Sequence, residues 1–152
     1  MSRSYYYQDV FHRQNNDLLK DIQKAIDGEY SAILCYEQLA LIAPDAAAKK
    51  RIQEIRQDES KHFHQFAAIY QNLTGKKYHP KLTEACPSQY RSGLESAFTD
   101  EQETVDLYLD IAERTTETYI KEVFRRAAGD EQNHAVWFLY FLTMLHGRYK
   151  KY

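Results

Sequence analysis

The sequence predicts an all-α fold, a four-helix bundle built from two antiparallel helical hairpins joined by a long crossover. Three observations predict it. Glycine and proline are scarce, five and three in 152 residues, so little interrupts long helices. Ile52, Ile55, Glu59, His62, Phe66, Ile69 and Leu73 recur at alternating steps of three and four, the signature of one buried helical face. The second half also repeats the first at an offset of 72 residues. DESKHFHQF, starting at Asp58, and DEQNHAVWF, starting at Asp130, share Asp, Glu, His and Phe in the same places.

Each element follows from its own pattern. Helix one spans about Asp17 to Ala43, with Ile22, Ile26, Glu29, Ile33, Tyr36 and Ala40 inward. Pro44-Asp45 ends it and starts helix two, about Asp45 to Leu73. The stretch TGKKYHPKLTEACPS, Thr74 to Ser88, changes composition to a loop with one Gly and two Pro. Helix three runs from about Gln89 to Arg114, with Leu94, Phe98, Glu101, Val105, Tyr108 and Ala112 inward. Thr115-Thr116 caps helix four, which reaches about Leu145 with Ile120, Phe124, Ala127, Glu131, His134, Phe138 and Phe141 inward. Residues 1–16 read as an N-terminal extension, 17–146 as the bundle and 147–152 as a C-terminal tail.

Shifting the first half by 72 superposes Ala25, Glu29, Tyr36, Ala40, Lys49, Asp58, Glu59, His62 and Phe66 on identical residues. The repeated unit is a helical hairpin. An antiparallel link needs only a few residues, whereas an extended loop of fifteen covers roughly 50 Å at about 3.3 Å per residue. The loop therefore crosses the length of the bundle and leaves helices two and three parallel.

Bulk properties exclude several classes. Net charge is −2 with acid and base mixed, which leaves no basic footprint for nucleic acid. The N-terminus has no apolar stretch of a secretory signal, and no run is long enough for a membrane span. Cys35 and Cys86 form no C-x-x-C pair and no zinc pattern, so neither shows a partner and a reducing cytoplasm is the expected location. Tyr5, Tyr6, Tyr7 and Tyr152 cluster at the ends and suggest packing or a subunit contact.

The chemistry lies in the core stripe. Glu29 and Glu59 are each fifteen residues from Pro44, and Glu101 and Glu131 are each fifteen from Thr116. Positions equidistant from the turn of an antiparallel hairpin share one height. His62 and His134 follow their Glu by one turn on the same face. Six ligand-type side chains thus converge, with no Lys or Arg on the seam among them. Four buried carboxylates would protonate or cost several kcal/mol each as bare anions. Two divalent cations cancel their charge, and mixed carboxylate and imidazole ligands suit iron or manganese.

Two E-x-x-H motifs, each with a lone Glu thirty residues upstream, resemble the ferritin-like di-iron carboxylate superfamily in its rubrerythrin and bacterioferritin branch. The resemblance covers about Asp17 to Leu145. It implies a ferritin-like bundle holding two Fe ions, or Mn, with Glu59 and Glu131 bridging. Glu29 and His62 would complete one metal, and Glu101 and His134 the other. It implies that Asp58 and Asp130 each hold the opposite ligand histidine, against the plainer reading of surface charge. Tyr36 and Tyr108 would hydrogen-bond near the metals or donate electrons, although ordinary core packing also accounts for them.

The chain departs from the family in places. It has no rubredoxin domain with two C-x-x-C pairs, so an external electron donor is implied. The extra Glu of rubrerythrins is replaced by Thr104, while Glu103 points off the seam. Ser60 stands where bacterioferritin has its haem Met, so no haem is expected. No fifth helix fits after Leu145, which argues against a storage cage. His12, His64, His79 and His146 read as structural or solvated, and Trp137 as a packing or dimer residue.

The expected function is a di-iron oxidoreductase that uses O2 or H2O2 to oxidise its di-metal centre, as a ferroxidase acting on Fe2+ or as a peroxidase. A di-manganese catalase is a variant. The alternatives are an iron-binding or storage module, and a structural coat or assembly protein with a vestigial site. A homodimer without nucleic-acid or membrane partners is the expected state.

Overall fold

The computed structural model describes the backbone of residues 3–149 and the side chains of residues 15–145. The side chains of the terminal tyrosines, His12, His146 and the expected C-terminal tail lie outside the described residues. Four helices follow in order: α1 (Arg3–Leu41), α2 (Ala46–Thr74), α3 (Tyr90–Arg114) and α4 (Thr118–Tyr149). Helix α1 begins well before Asp17, where the sequence suggested an extension. Residues 3–16 lack a core stripe but also lack any Gly or Pro to stop a helix growing backwards.

Local chemistry sets the other ends. Asp45 caps α2 by accepting the Ala48 amide at 2.9 Å. Gly75 ends α2 in the left-handed region at φ 71°, and its N–H returns to the Gln71 carbonyl. Thr115 Oγ1 accepts the Glu117 amide in the short turn before α4. No described helix is long and apolar enough to cross a membrane.

Contacts across the bundle fix its topology. Tyr36 meets Glu101 and Tyr108 meets Glu29, so α1 and α3 are antiparallel. His62 meets Asp130 and His134 meets Asp58, so α2 and α4 are antiparallel too. With each hairpin antiparallel, α2 and α3 run parallel, and residues 75–89 form the crossover. At Gly93 an added Cβ would come within 2.6 Å of Leu39 Cδ1, which shows how closely α3 approaches α1.

The core is divided. One apolar cluster gathers Ile22, Ile26, Phe66, Tyr108, Ile111 and Phe124 from all four helices. A second, also from all four, gathers Tyr36, Ile52, Ile55, Leu94, Phe138 and Phe141. The layer between them holds the six predicted polar residues. Leu73, expected on the α2 stripe, is exposed near the helix end, and Ile33 is only half-buried.

Two cysteines depart from expectation. Cys35 of α1 and Cys86 of the crossover are joined in a disulfide, with Cα atoms 5.1 Å apart. The sequence showed no partner for either because their pairing depends on the crossover's route. The cytoplasmic expectation rested on unpaired cysteines and so loses that support.

Candidate metal centre

Each helix brings its polar residues to one height. Helix α1 supplies Glu29, α2 supplies Glu59 and His62, α3 supplies Glu101, and α4 supplies Glu131 and His134. None is more than 4% exposed. They form two groups whose potential ligand atoms lie within 4.8 Å of one another: Glu29, Glu59, His62 and Glu131, and Glu59, Glu101, Glu131 and His134. Glu59 and Glu131 belong to both.

Both imidazoles turn Nδ1 toward the carboxylates. His62 Nδ1 is 2.9 Å from Glu131 Oε1 and 3.4 Å from Glu29 Oε1. His134 Nδ1 is 2.7 Å from Glu59 Oε1 and 3.7 Å from Glu101 Oε2. These approaches are close but lack hydrogen-bond angles. Among the described residues, seven buried side-chain atoms have no hydrogen-bond partner, and all belong to these six residues. Buried polar atoms are almost always paired. Oxygen and nitrogen donors converging with unpaired lone pairs are what a di-cation needs and what a purely structural polar core avoids.

Without metal, protons carry the compensating charge. Burial alone would lower both histidines, but the carboxylates outweigh it. The neighbouring Glu29 and Glu59 carboxylates raise His62 to about 10, and those of Glu101 and Glu59 raise His134 to about 11. Burial, reinforced by the Glu59 charge, holds Glu29 and Glu131 well above the ordinary carboxylate range. Burial opposes ionisation of Glu59 as well, yet the two imidazoles keep it an anion with a lowered pKa.

The surrounding residues fix orientation. His62 Nε2 lies 3.2 Å from Asp130 Oδ2, and His134 Nε2 lies 3.4 Å from Asp58 Oδ2, so each Asp reaches the histidine of the other hairpin. Behind them, Arg126 pairs with Asp130 and Lys61 with Asp58. The Tyr36 hydroxyl donates to Glu101 Oε1 at 2.6 Å, and that of Tyr108 donates to Glu29 Oε1.

Other predicted positions stay apart. His64 is exposed and its Nδ1 meets the Ser60 carbonyl at 2.6 Å. His79 is exposed in the crossover. Trp137 packs on Phe141 and lies under the Arg51 guanidinium, 4.2 Å from its ring centre.

A cavity of about 280 Å³ opens between α1, α3 and the crossover and reaches Glu29, Glu59, Glu101 and Glu131. Glu84, Asp100 and Glu103 line it farther out. Burial, followed by repulsion from Glu84, raises Asp100 to about 6. Neither this acidic approach nor the disulfide that ties Cys35 on its wall to Cys86 was anticipated, because both depend on the crossover's path.

Comparison with known proteins agrees with this geometry. The rubrerythrin family model matches residues 93–152. The uncharacterized protein YhjR of Bacillus subtilis (strain 168) is 52% identical over 142 residues, covering 93% of this chain and 98% of that protein. Two solved structures share the fold. One is a Desulfovibrio desulfuricans bacterioferritin described with a diiron site, at 19% identity and TM-score 0.76, covering 89% of this chain and 83% of that one. The other is a hypothetical protein from Pyrococcus furiosus, at 20% identity and TM-score 0.75, covering 89% and 93%. With a doubled E-x-x-H bundle, a family match over α3 and α4 and a relative similar along nearly its whole length, this chain belongs to the rubrerythrin family of ferritin-like proteins.

Proposed function

We propose that the chain is a di-iron oxidoreductase. Glu59 and Glu131 would bridge two ions, with Glu29 and His62 completing one and Glu101 and His134 the other. The observation that carries this reading is the set of seven unpartnered buried donor atoms in two overlapping groups. Four carboxylates and two neutral imidazoles match the charge of two divalent ions, and this ligand set suits iron or manganese. When bound, such a pair supplies two electrons for reducing O2 or H2O2 and Lewis acidity for stabilising the charge that develops.

The protein's own groups would prepare the site. Asp130 and Asp58 accept the outer imidazole N–H and so keep Nδ1 unprotonated toward the ions. Tyr108 and Tyr36 each hold one oxygen of Glu29 and Glu101, leaving the other to ligate. The two apolar clusters exclude water from above and below, which strengthens every charge interaction between them.

The acidic lining of the cavity supports Fe2+ as the substrate, since a funnel of carboxylates concentrates cations. Electrons for repeated turnover would come from an external donor. Exposed Val136, Leu139, Tyr140 and Met144 on α4 support a homodimer.

Elemental analysis of untagged protein tests this reading. Two irons per chain, with Fe2+-dependent O2 consumption, is the expected result. Two manganese with peroxide disproportionation would move it to catalase chemistry. Protein that stays metal-free when given Fe2+ anaerobically would overturn it in favour of a structural role. Glu59→Ala should lose the two-metal stoichiometry, and retention of both ions would overturn the ligand assignment.

A further inference from the structure

The crossover is fastened to α1 along a seam. Asp27, Ser31 and Cys35 stand at four-residue steps and so share one stripe of the helix. Asp27 Oδ1 accepts the Lys81 amide at 2.7 Å, and Oδ2 accepts the Tyr78 hydroxyl at 2.9 Å. Ser31 Oγ accepts the Thr83 amide at 3.1 Å. Cys35 is bonded to Cys86. Residues 78–86 therefore follow α1 in its own direction, held by hydrogen bonds at one end and a covalent bond at the other.

The covalent end borders the cavity. Cys35 lines it from α1, while Thr83, Glu84, Ala85 and Pro87 line it from the crossover. Glu84 also faces like charge from Asp100 on α3. Like charge on Glu84 and Asp100 disfavours their close approach, and the hydrogen bonds of the seam are solvent-exposed or half-buried. Tyr78 anchors the start of the segment by packing on Tyr70 and the core, and beyond it the disulfide is the fastening to α1 that water cannot replace.

We propose that residues 78–87 are a redox-latched cover on the route to the buried carboxylates. The intact disulfide holds the cover down, and a dithiol reductant releases it and admits divalent cations. Both sulfurs belong to half-buried residues, within reach of a small dithiol. One thiolate of the reductant attacks a cysteine sulfur and breaks the S–S bond, and the departing cysteine takes a proton. The second reductant thiol displaces the remaining cysteine. The chain gains two electrons and two protons as two thiols, and the reductant leaves as its disulfide. The cation's destination rests on the di-metal reading, whereas the latch itself does not.

The test uses metal-free full-length protein, so that access is read without metal binding. Carbodiimide coupling of glycine ethyl ester to Glu29 and Glu101 would be timed by peptide mass spectrometry. Three forms are compared: oxidised, dithiothreitol-treated, and a Cys35→Ser, Cys86→Ser double variant without reductant. Both unlatched forms should label about tenfold faster, with parallel loss of amide protection at Lys81 and Thr83. Circular dichroism confirms that each form remains helical, and the reduced wild type serves if the variant misfolds. Equal labelling in oxidised and reduced protein would overturn the cover. Faster amide exchange without faster labelling would also overturn it, by showing that the loop moves without guarding the site. Equilibrium Co2+ stoichiometry, measured separately, tests the di-metal reading. Absent binding there would remove the cations but not the latch.

Discussion

The Tyr36 hydroxyl donates a 2.6 Å hydrogen bond to Glu101 Oε1, linking α1 to α3 inside the site layer across 65 residues of sequence. Its counterpart, Tyr108 on Glu29, lies 72 residues on for the donor and 72 back for the acceptor. The bundle's internal duplication thus reaches the residues that hold the carboxylates. Tyr36→Phe should leave Glu101 Oε1 buried without its donor and lower the stability of metal-free protein by about 1–3 kcal/mol. Urea denaturation of both proteins checks this, and an unchanged midpoint would mean that the contact is dispensable.

Asp130 reaches His62 from the opposite hairpin at 3.2 Å and is itself paired with Arg126. Asp130→Asn keeps the shape but removes the charge on the imidazole. Metal affinity should fall about 10- to 100-fold, as for other outer partners of ligand histidines. Competition against a calibrated chelator measures it.

Protonation of the metal-free site gives a signed pH dependence. His62 and His134 are raised from 6.5 to about 10 and about 11. A folded state that holds protons more tightly than the unfolded chain gains stability below the unfolded value and loses it as pH rises through the folded one. Glu29 and Glu131, also raised, act in the same direction from lower pH. Glu59, lowered, contributes the opposite slope only in acid. Metal-free protein should therefore melt at progressively lower temperature between about pH 7 and 10. Ligation requires unprotonated Nδ1, so adding Co2+ at pH 7 should also release protons, measurable in weakly buffered solution. Melting that is flat over that range would contradict the protonated-imidazole arrangement.

At Gly93, α3 packs closely against the Leu39 side chain of α1. Gly93→Ala would place Cβ within 2.6 Å of Leu39 Cδ1, and Leu39 would have to change position. The expected loss is about 1–3 kcal/mol, typical of overpacking. A Cβ added at Gly28 or Gly129 would meet nothing within 4 Å, so alanine there serves as the control in the same denaturation series.

Much of the site was legible in the sequence because helical periodicity is strict. A polar residue on an apolar stripe is conspicuous, and equal distances from Pro44 and Thr116 put Glu29 level with Glu59 and Glu101 level with Glu131. The crossover was legible only in length. It has no periodicity, so nothing in the sequence placed Cys86 beside Cys35, 51 residues away. A faint signal existed in Asp27, Ser31 and Cys35, a polar stripe next to the apolar seam. The start of α1 was missed for a related reason. Amphipathic pattern marks where a helix packs, whereas only a breaker marks where it stops, and residues 3–16 contain none.

The division of the apolar interior into two clusters has a mechanical consequence. Each cluster binds all four helices, so the bundle is clamped at both ends of the site layer and the span between is short. Neither clamp depends on what occupies that layer. Donor atoms held this way keep their spacing whether or not the proposed ions are bound. The protein is a rigid vice whose jaws were set when it folded.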